Sequence, residues 1–434
     1  MGAVYTVCCG LDVHAYQIEA CLRTVGEDGH ARYERRPFEA HQQALFELAD
    51  WLSSSQCQAA AMESTGVYWK SVYALLNGVL PRVVVAHAGK VKRRGPKTDK
   101  KDARWLSNLL AQDEVPPSFV PPADIQSIRE LMRARYSMLK SRTQLKNRVH
   151  KLLHVGHIKL SGAVSDIFVG SGRAMLDALV GGERDVEVLL SKARKAMQKR
   201  KGEELKKALK GELTADLRWL IGSLLEQLDV ITRQLRELEQ RLDALISDEI
   251  RSAREQLKTL PGVDAIAALQ IISEVGLDMQ QFGSASRLAS WSAMCPGTHQ
   301  SAGKSRKGQR QKGNKYLRAI LAECAWSTRK TDTFLGRKFR QLEARIGGAK
   351  AAVAIGHKLL RLVYFLLSDG TLYDDSHYDS LKDRDQAREL RRIVKHMRKM
   401  GWQVETRDDG VEVRILPIET TLGASSLAST PPSS

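Results

Sequence analysis

The hydrophobic pattern changes period several times within the first quarter of the chain. Residues 3–24 are rich in Val, Ile, Tyr and Cys, which predicts a β-hairpin or two neighbouring strands. Apolar runs at 58–62 and 83–87 predict further strands. Helical spacing follows the first strands at 41–52, occurs again in GVYWKSVYALLN after the run at 58–62, and resumes near Thr98. Alternating strands and helices indicate that the chain begins with an α/β domain.

A second pattern, with heptad spacing, lies in the middle of the chain. Its apolar residues recur in alternating steps of four and three, which predicts a coiled coil. The pattern leaves open whether this helix pairs with a second copy or folds back on the basic helix predicted at 123–155, and both can occur together. We expect a homo-oligomer, a dimer or higher, held through the coiled coil. The heptad positions are Leu217, Ile221, Leu224, Leu228, Ile231, Leu235, Leu238, Leu242 and Leu245.

Breaks in these patterns divide the chain into four predicted parts. The prolines of PPSFVPP interrupt both helix and strand pairing after the first part. Near the carboxyl end, a basic helix at 381–400 precedes a hairpin that turns on Asp409-Gly410, and the last fourteen residues are rich in Ser, Thr and Pro. The predicted parts are an α/β domain (1–122), basic helices and a coiled coil (123–256), a mostly α-helical domain (257–372), and a basic helix, hairpin and disordered tail (373–434).

Charge points to a polyanionic partner. The formal net charge is +18, and clustered Lys and Arg favour nucleic acid because binding releases counterions from phosphates. Two basic runs stand out: 123–156 carries eight Lys/Arg and two acids, and 191–210 carries nine Lys/Arg. Either run alone is typical of a solvated helix face, but several together favour nucleic-acid binding.

Cysteine usage and the chain start indicate the compartment. The six cysteines form no CxxC pair and no His/Cys cluster at zinc spacing, which argues against a zinc site or a disulfide framework. The first residues lack the features of a signal peptide, and we find no apolar run long enough to suggest a membrane partner. We expect a bacterial cytoplasmic protein that associates with the nucleoid.

Four acids follow the predicted strands in an order that suits a metal site. Asp12 ends the first strand and Glu63 ends a later one, while Asp99 and Asp102 share one face near a helix start. Carboxylate oxygens suit Mg²⁺, and two such ions can activate the attacking oxygen and stabilise the leaving one in phosphoryl transfer. Each acid taken alone is equally well explained as a turn or helix-cap residue. Their order therefore carries the prediction of a site with two Mg²⁺ ions.

Basic residues surround the acidic pair near the predicted helix start. Lys97, Lys100, Lys101 and Arg104 lie within a few residues of the two acids. We expect these side chains to bind the phosphates that flank the reacting group.

Three segments that contain the acids resemble the motifs of a known family. GLDVH, MESTGVYW and KTDKKDARWLSNLL are similar to the three motifs of the DEDD transposases of insertion sequences, the IS110 family. The resemblance continues in LPGVDAIAALQIISEVG and in the segment from FGSASRL to GNKYLR, and covers the first 155 residues and about 257–370. It implies an RNase H-like, RuvC-type fold for the first domain, metal binding by the four acids, and transposase activity in DNA recombination.

The same resemblance implies a serine nucleophile and an RNA partner. Family members carry a serine that attacks DNA within the segment that is HQSAGKSRKG here, and Ser301 is the match, with Ser305 as the alternative. Residues 299–318 hold seven Lys/Arg and no acid, so this segment suits phosphate binding. Similar proteins use a structured RNA from their own element to choose DNA. The predicted nucleic-acid-binding residues here are Lys304, Arg306, Lys307, Arg310 and Lys312.

Two other functions explain part of the sequence. A RuvC-like nuclease that cuts DNA junctions would use the four acids alone, and it would leave the coiled coil and Ser301 without a role. A non-catalytic nucleic-acid-binding protein would use the basic helices, with the acids acting only as caps. Replacing Ser301 separates the three functions, because only a recombinase requires it.

Overall fold

The computed structural model describes most of the chain and divides it into two compact units, Met1–Gln126 and Ser127–Ser434. The described residues are 4–64, 66–87, 99–295, 298–301, 304–307, 313–378, 391–400, 402–406 and 413–417. At 99, 100, 298–301, 304–307, 402–406 and 413–417 the description covers the backbone alone.

The first unit is built on a five-stranded mixed sheet with the strand order β3-β2-β1-β4-β5. The pairs β1–β2 and β2–β3 are antiparallel, whereas β1–β4 and β4–β5 are parallel. This confirms the predicted α/β character of the region. The elements are β1 (Val7–Val13), β2 (Gln17–Val25), β3 (Ala31–Glu39), α1 (Gln42–Ser54), β4 (Ala59–Glu63), α2 (Trp69–Leu76), β5 (Arg82–Ala86) and α3 (Asp99–Ala111).

Side chains alternate between the two faces of this sheet and form a separate core on each. On one face, residues such as Leu11 and Met62 pack with α1 and α2. On the other, Cys8, Ala59 and Ala61 pack against α3 through residues that include Leu106. Since both faces are covered by helices, the central strands consist largely of apolar residues.

Strand β3 is absent from the predicted elements. Its sequence, ARYERRPFE, is mostly charged, and no residue in it is fully buried. It lies at the edge of the sheet and pairs with β2 alone, so the hydrophobic signal that reveals a buried strand is missing. At the opposite edge, residues 116–118 of the proline segment hydrogen-bond along β5, including Ser118 N–H to the Val85 carbonyl (2.7 Å).

The second unit begins within a long basic helix, which the sequence predicts closely. Helix α4 (Ala123–Val155) and helix α9 (Ala215–Leu245) run antiparallel, because Arg135 binds Glu239 (2.9 Å) near one end and Leu153 shares a core with Ile221 near the other. Four shorter helices connect the carboxyl end of α4 to the amino end of α9 and complete that core. They are α5 (Leu160–Ala163), α6 (Gly170–Val180), α7 (Val186–Ser191) and α8 (Lys195–Ala208).

The heptad positions of α9 are largely buried within their own chain. Ile221, Leu228, Leu235, Leu238 and Leu242 are all below 7% exposed. The helix therefore folds back on its own unit, which was one of the two arrangements that the spacing left open. Pairing with a second copy through this helix stays a prediction.

The remaining helices of the second unit surround α15. Helices α10, α12, α13 and α14 all pack against it, and α11 packs on α10 and α13. Between α12 and α13 the backbone forms a two-stranded antiparallel ribbon. The elements are α10 (Asp248–Lys258), α11 (Ala265–Val275), α12 (Ala285–Trp291), β6 (Thr298–Ser301), β7 (Lys304–Lys307), α13 (Lys315–Thr328), α14 (Phe334–Ile346) and α15 (Gly348–Asp369).

By length and composition alone, helix α15 is long and apolar enough to cross a membrane. The sequence had predicted no apolar run of that length. Ala351, Ile355, Leu359, Leu360 and Val363 on this helix are fully buried, so it serves as a core helix. Beyond it, residues 391–399 are helical and the expected hairpin forms from β8 (Trp402–Thr406) and β9 (Val413–Pro417). The predicted turn at Asp409-Gly410 and the predicted disordered tail lie outside the described residues.

Candidate functional site

Asp12 and Glu63 lie side by side at one edge of the sheet. The last paired residues of the parallel strands β1 and β4 are Leu11 and Met62, and the two acids come next on each strand. Leu11 and Met62 point into the core beneath α1 and α2, so alternation directs the acids to the opposite face. That is the face on which α3 packs.

Helix α3 runs antiparallel to β1 across this face. The carbonyl of Ala111 accepts from Val4 N–H (2.7 Å), and the Cys8 thiol donates to the Ser107 carbonyl (3.4 Å). Gly10 lies directly beneath the helix, where a Cβ atom would overlap the carbonyl oxygen of Ala103. The glycine in CCGLDVH therefore permits a close approach that carries the first turn of α3 toward the carboxyl end of β1, beside Asp12.

The acidic pair stands at this first turn. Asp102 is half-buried and directly precedes the fully covered Ala103. The backbone of Asp99 begins α3, and its side chain lies outside the described residues. Within the described part of the chain, no three His, Cys, Asp or Glu side chains come close enough to hold one metal ion. The backbone places Asp12 and Glu63 on neighbouring strands and packs α3 on the same face of the sheet, but the described side chains of Asp12, Glu63 and Asp102 do not form a metal-binding group.

Two neighbours of Asp12 add to the chemistry of this edge. The Nε2 atom of His14 lies 3.4 Å from Asp12 Oδ1. Glu19 pairs with Asp12 across β1 and β2, is only 7% exposed, and accepts from the Gln17 amide (2.9 Å). Glu19 is not among the predicted site residues. The short β1–β2 connection offered a signal for it, because an antiparallel hairpin sets such a residue opposite Asp12 on the same face.

The basic residues predicted around the acidic pair are only partly described. Lys101 is exposed. Arg104 is also exposed, and its guanidinium lies 4.0 Å from the centre of the Tyr33 ring, which holds it toward β3. The side chain of Lys100 and the whole of Lys97 lie outside the described residues.

Ser301 lies in the two-stranded ribbon of the second unit. The backbone register pairs Ser301 with Lys304 and Gln300 with Ser305. Because residues alternate along a strand and paired residues share a side, positions 301 and 305 belong to opposite faces of the ribbon. The backbone register thus separates the two candidate serines. Arg306 and Lys307 also lie on β7, while Arg310 and Lys312 lie outside the described residues.

Two family profiles match separate stretches of the chain. One, described as a transposase of the DEDD IS110 type, matches residues 9–158. The other, described as a transposase of the IS116/IS110/IS902 family, matches residues 254–340. The first stretch contains the four acids and the second contains Ser301. Residues 159–253, which include α9, fall outside both matches.

Curated relatives carry names of the same kind. A protein of Pseudomonas aeruginosa named "Probable family 20 transposase" is 26% identical over 321 residues, which cover 72% of this chain and 85% of the relative. A protein of Sinorhizobium fredii, also named as a transposase, is 23% identical over 344 residues, covering 77% of this chain and 75% of the relative.

Proposed function

Because the chain belongs to the IS110 family of transposases, we propose that it cuts and joins DNA with a carboxylate-bound metal and a serine nucleophile. The four acids of the first unit would hold the metal, and Ser301 would attack the DNA. The observation that supports this proposal is that Asp12 and Glu63 lie on neighbouring parallel strands, on the face of the sheet along which α3 packs. We infer an RNase H-like fold of the RuvC type for that unit, which the mixed sheet with helices on both faces supports.

Two of the four acids lie on strands and two on a helix, and both pairs would contribute oxygen ligands to the metal. Asp12 and Glu63 are fixed by strands with buried neighbours, so their carboxylates keep a constant separation. Asp99 and Asp102 approach from the helix and complete the donor set. When Mg²⁺ is bound, it supplies positive charge that stabilises the scissile phosphate and the departing oxygen. Lys101 and Arg104 at the same edge would bind flanking phosphates.

The serine step exchanges one phosphate ester for another. The Ser301 Oγ atom bonds to phosphorus, and the bond from phosphorus to one DNA oxygen breaks. The serine proton passes to solvent, and the departing DNA oxygen takes up a proton. A hydroxyl of a second DNA strand then attacks the phosphoserine link, which restores the serine and completes strand exchange. The bond energy of the cut strand is retained throughout, so rejoining requires no external source of energy.

Substitution of the two candidate serines tests this proposal. We expect Ser301→Ala to abolish strand exchange on DNA carrying the element's ends, whereas Ser305→Ala, on the opposite face of the ribbon, should retain it. Both variants should bind DNA as the wild type does. Cutting that survives in Ser301→Ala would indicate a metal-dependent nuclease, and binding without any cutting in the wild type would indicate a non-catalytic DNA-binding protein.

An RNA partner is proposed from the family resemblance, supported by the net charge of +18 and the basic helices α4 and α8. Purification of the chain from cells that carry the complete element should recover a discrete RNA. Recovery of random RNA fragments alone would contradict a structured partner.

Self-association through α9 is also proposed. Its buried heptad positions pack within the chain, but Trp219 is 72% exposed and Leu220 and Val230 are each 41% exposed on the same helix. These side chains offer an apolar surface for a second copy. Light scattering of Trp219→Lys protein should show a lower mass than the wild type, and an unchanged mass would exclude this surface.

A further inference from the structure

A buried carboxylate lies in the second unit. Glu274, near the end of α11, is fully buried. Both its oxygens accept from Arg133 on α4, at 2.8 and 2.7 Å. Arg129, one turn earlier on α4, donates to the backbone carbonyls of Ser273 and Glu274 at 2.7 and 3.0 Å. Two arginines of α4 therefore hydrogen-bond to the end of α11.

The Arg129 side chain is held inside the protein, whereas Arg133 is partly covered, with 37% of its side chain exposed. The Arg129 side chain is 13% exposed, and burial lowers its pKa to about 10, so it stays charged at neutral pH. Burial also acts to lower the pKa of Arg133, but the hydrogen bonds and the charge of Glu274, together with smaller contributions from Tyr316 and Glu130, outweigh it and raise the pKa. Such a network is costly to leave incomplete, because removing one partner leaves an uncompensated buried charge.

The third partner of Glu274 is Asn314. Its amide Nδ2 donates to Glu274 Oε2 (2.6 Å), while its Oδ1 accepts from the N–H groups of Tyr316 and Leu317, both at 3.1 Å. Asn314 is thus the N-cap of α13 and also the link to the buried network. Tyr316 strengthens this link, since the Arg133 guanidinium lies 4.7 Å from its ring centre.

Asn314 also closes the chain segment that carries Ser301. We call residues 295–313 the serine segment. It leaves α12 at Met294, whose N–H donates to the Ala289 carbonyl (3.0 Å) and whose side chain is buried. It returns at Gly313, where a Cβ atom would overlap the carbonyl oxygen of Ser292. The segment therefore begins and ends at one place, which we call the neck.

We propose that Glu274 is a positioning residue for the serine nucleophile: through Asn314 it fastens the neck of the serine segment to Arg129 and Arg133 of α4. This inference rests on the proposed function of Ser301. The ribbon is short, with one pair of four-residue strands, so its own ladder cannot set where it lies. The position of the ribbon is then set at the neck, and small displacements of a reacting group cost large factors in rate.

Substitution at Asn314 separates this role from helix capping. Asn314→Ser keeps an N-cap oxygen of similar strength, but its shorter side chain does not reach Glu274. Asn314→Asp keeps both the length and the cap and replaces the donor with an acceptor. Thr214→Ser is the matched control, because Thr214 caps α9 by accepting from Leu217 N–H (3.3 Å) and touches no part of the neck.

The natural cysteines provide a local readout of the neck. Cys295 is exposed, and the other five cysteines are buried, so a nitroxide label can be attached at Cys295 alone. We expect faster label motion in Asn314→Ser and Asn314→Asp than in wild type or Thr214→Ser. We also expect formation of the covalent protein–DNA link to slow by about tenfold or more, with DNA affinity changed by less than about twofold.

Each outcome decides the proposal. Unchanged label spectra in both Asn314 variants would overturn it, and so would greater motion with an unchanged rate of covalent linkage. A purely structural role predicts a lower unfolding temperature with wild-type label motion and rate well below that temperature. If Ser301→Ala protein reacts as the wild type does, the proposed function fails, and the label spectra alone decide whether Glu274 holds the neck.

Discussion

The acid edge of the first unit and the serine segment of the second are held in place by different forces. Asp12 and Glu63 lie near the carboxyl ends of strands in which neighbouring residues, such as Leu11 and Met62, are fully buried. The serine segment instead returns to the neck beside a polar cluster, in which Glu274 is the buried centre. One region depends on close packing and the other on charged hydrogen bonds.

This difference determines which kind of substitution each region tolerates. Close packing resists small polar changes but is disturbed by added volume. A buried charged network tolerates little loss of a partner, because the remaining charges stay desolvated. We therefore expect replacement of an acid by its amide to leave stability nearly unchanged at the acid edge and to lower it in the polar cluster, and the following predictions test that contrast.

The largest effect is expected at the acid edge. Asp12→Asn removes a metal-binding charge without changing shape, and strand exchange should fall by at least about a thousandfold, since the metal contributes several kcal/mol to the transition state. Unfolding temperature and DNA binding should stay close to wild type. Glu19→Gln, on the neighbouring strand, is the control and should lower the rate far less. Equal losses in both variants would mean that Glu19 also binds the metal.

The second effect is a loss of stability in the polar cluster. Glu274→Gln should lower the free energy of unfolding of the second unit by about 3–5 kcal/mol, because the partly covered Arg133 loses its bidentate carboxylate and the buried Arg129 loses the compensating charge nearby. Glu239→Gln is matched to it, since Glu239 also pairs with an arginine of α4 but is 41% exposed. That control should cost at most about 1 kcal/mol. Urea unfolding of both variants provides the comparison, and equal costs would contradict the contrast.

A smaller loss of stability is expected from added volume beneath α3. Gly10→Ala places a methyl group against the Ala103 carbonyl and should cost about 1–3 kcal/mol by overpacking. It should also slow strand exchange, because α3 must move away from Asp12. Gly78→Ala adds the same group in the same unit at an ordinary contact distance, 3.6 Å from the Leu75 carbonyl. Gly78→Ala should stay within about 0.5 kcal/mol of wild type, and a similar cost at both glycines would argue against the close approach.

The sequence predicted those parts of the fold whose signal is local. Apolar runs that stop at an acid predicted that Asp12 and Glu63 lie at the ends of their strands. Glu63 ends β4, and Asp12 lies one residue before the end of β1. Heptad spacing identified α9 along its whole length. It could not decide what covers the helix, because an apolar stripe packs equally well on its own chain or on a second copy.

The parts that were missed depend on distant partners. Glu274 lies in an apolar helix, and its arginines are about 140 residues earlier in the chain, so no spacing rule connects them. Strand β3 is charged because it lies at an edge, and only its pairing with β2 reveals it. The neck was equally hidden, since Ser292 and Gly313 meet only in the folded chain.

The central claim is that Ser301 becomes covalently joined to DNA when the acid edge is intact. Wild-type protein with any RNA that copurifies would be incubated with Mg²⁺ and DNA carrying the element's ends, then digested and analysed by mass spectrometry. We predict a nucleotide linked to Ser301, absent from Asp12→Asn and Ser301→Ala proteins and present in Ser305→Ala. Strand exchange in the wild type without a nucleotide on any serine of residues 295–313 would contradict the account.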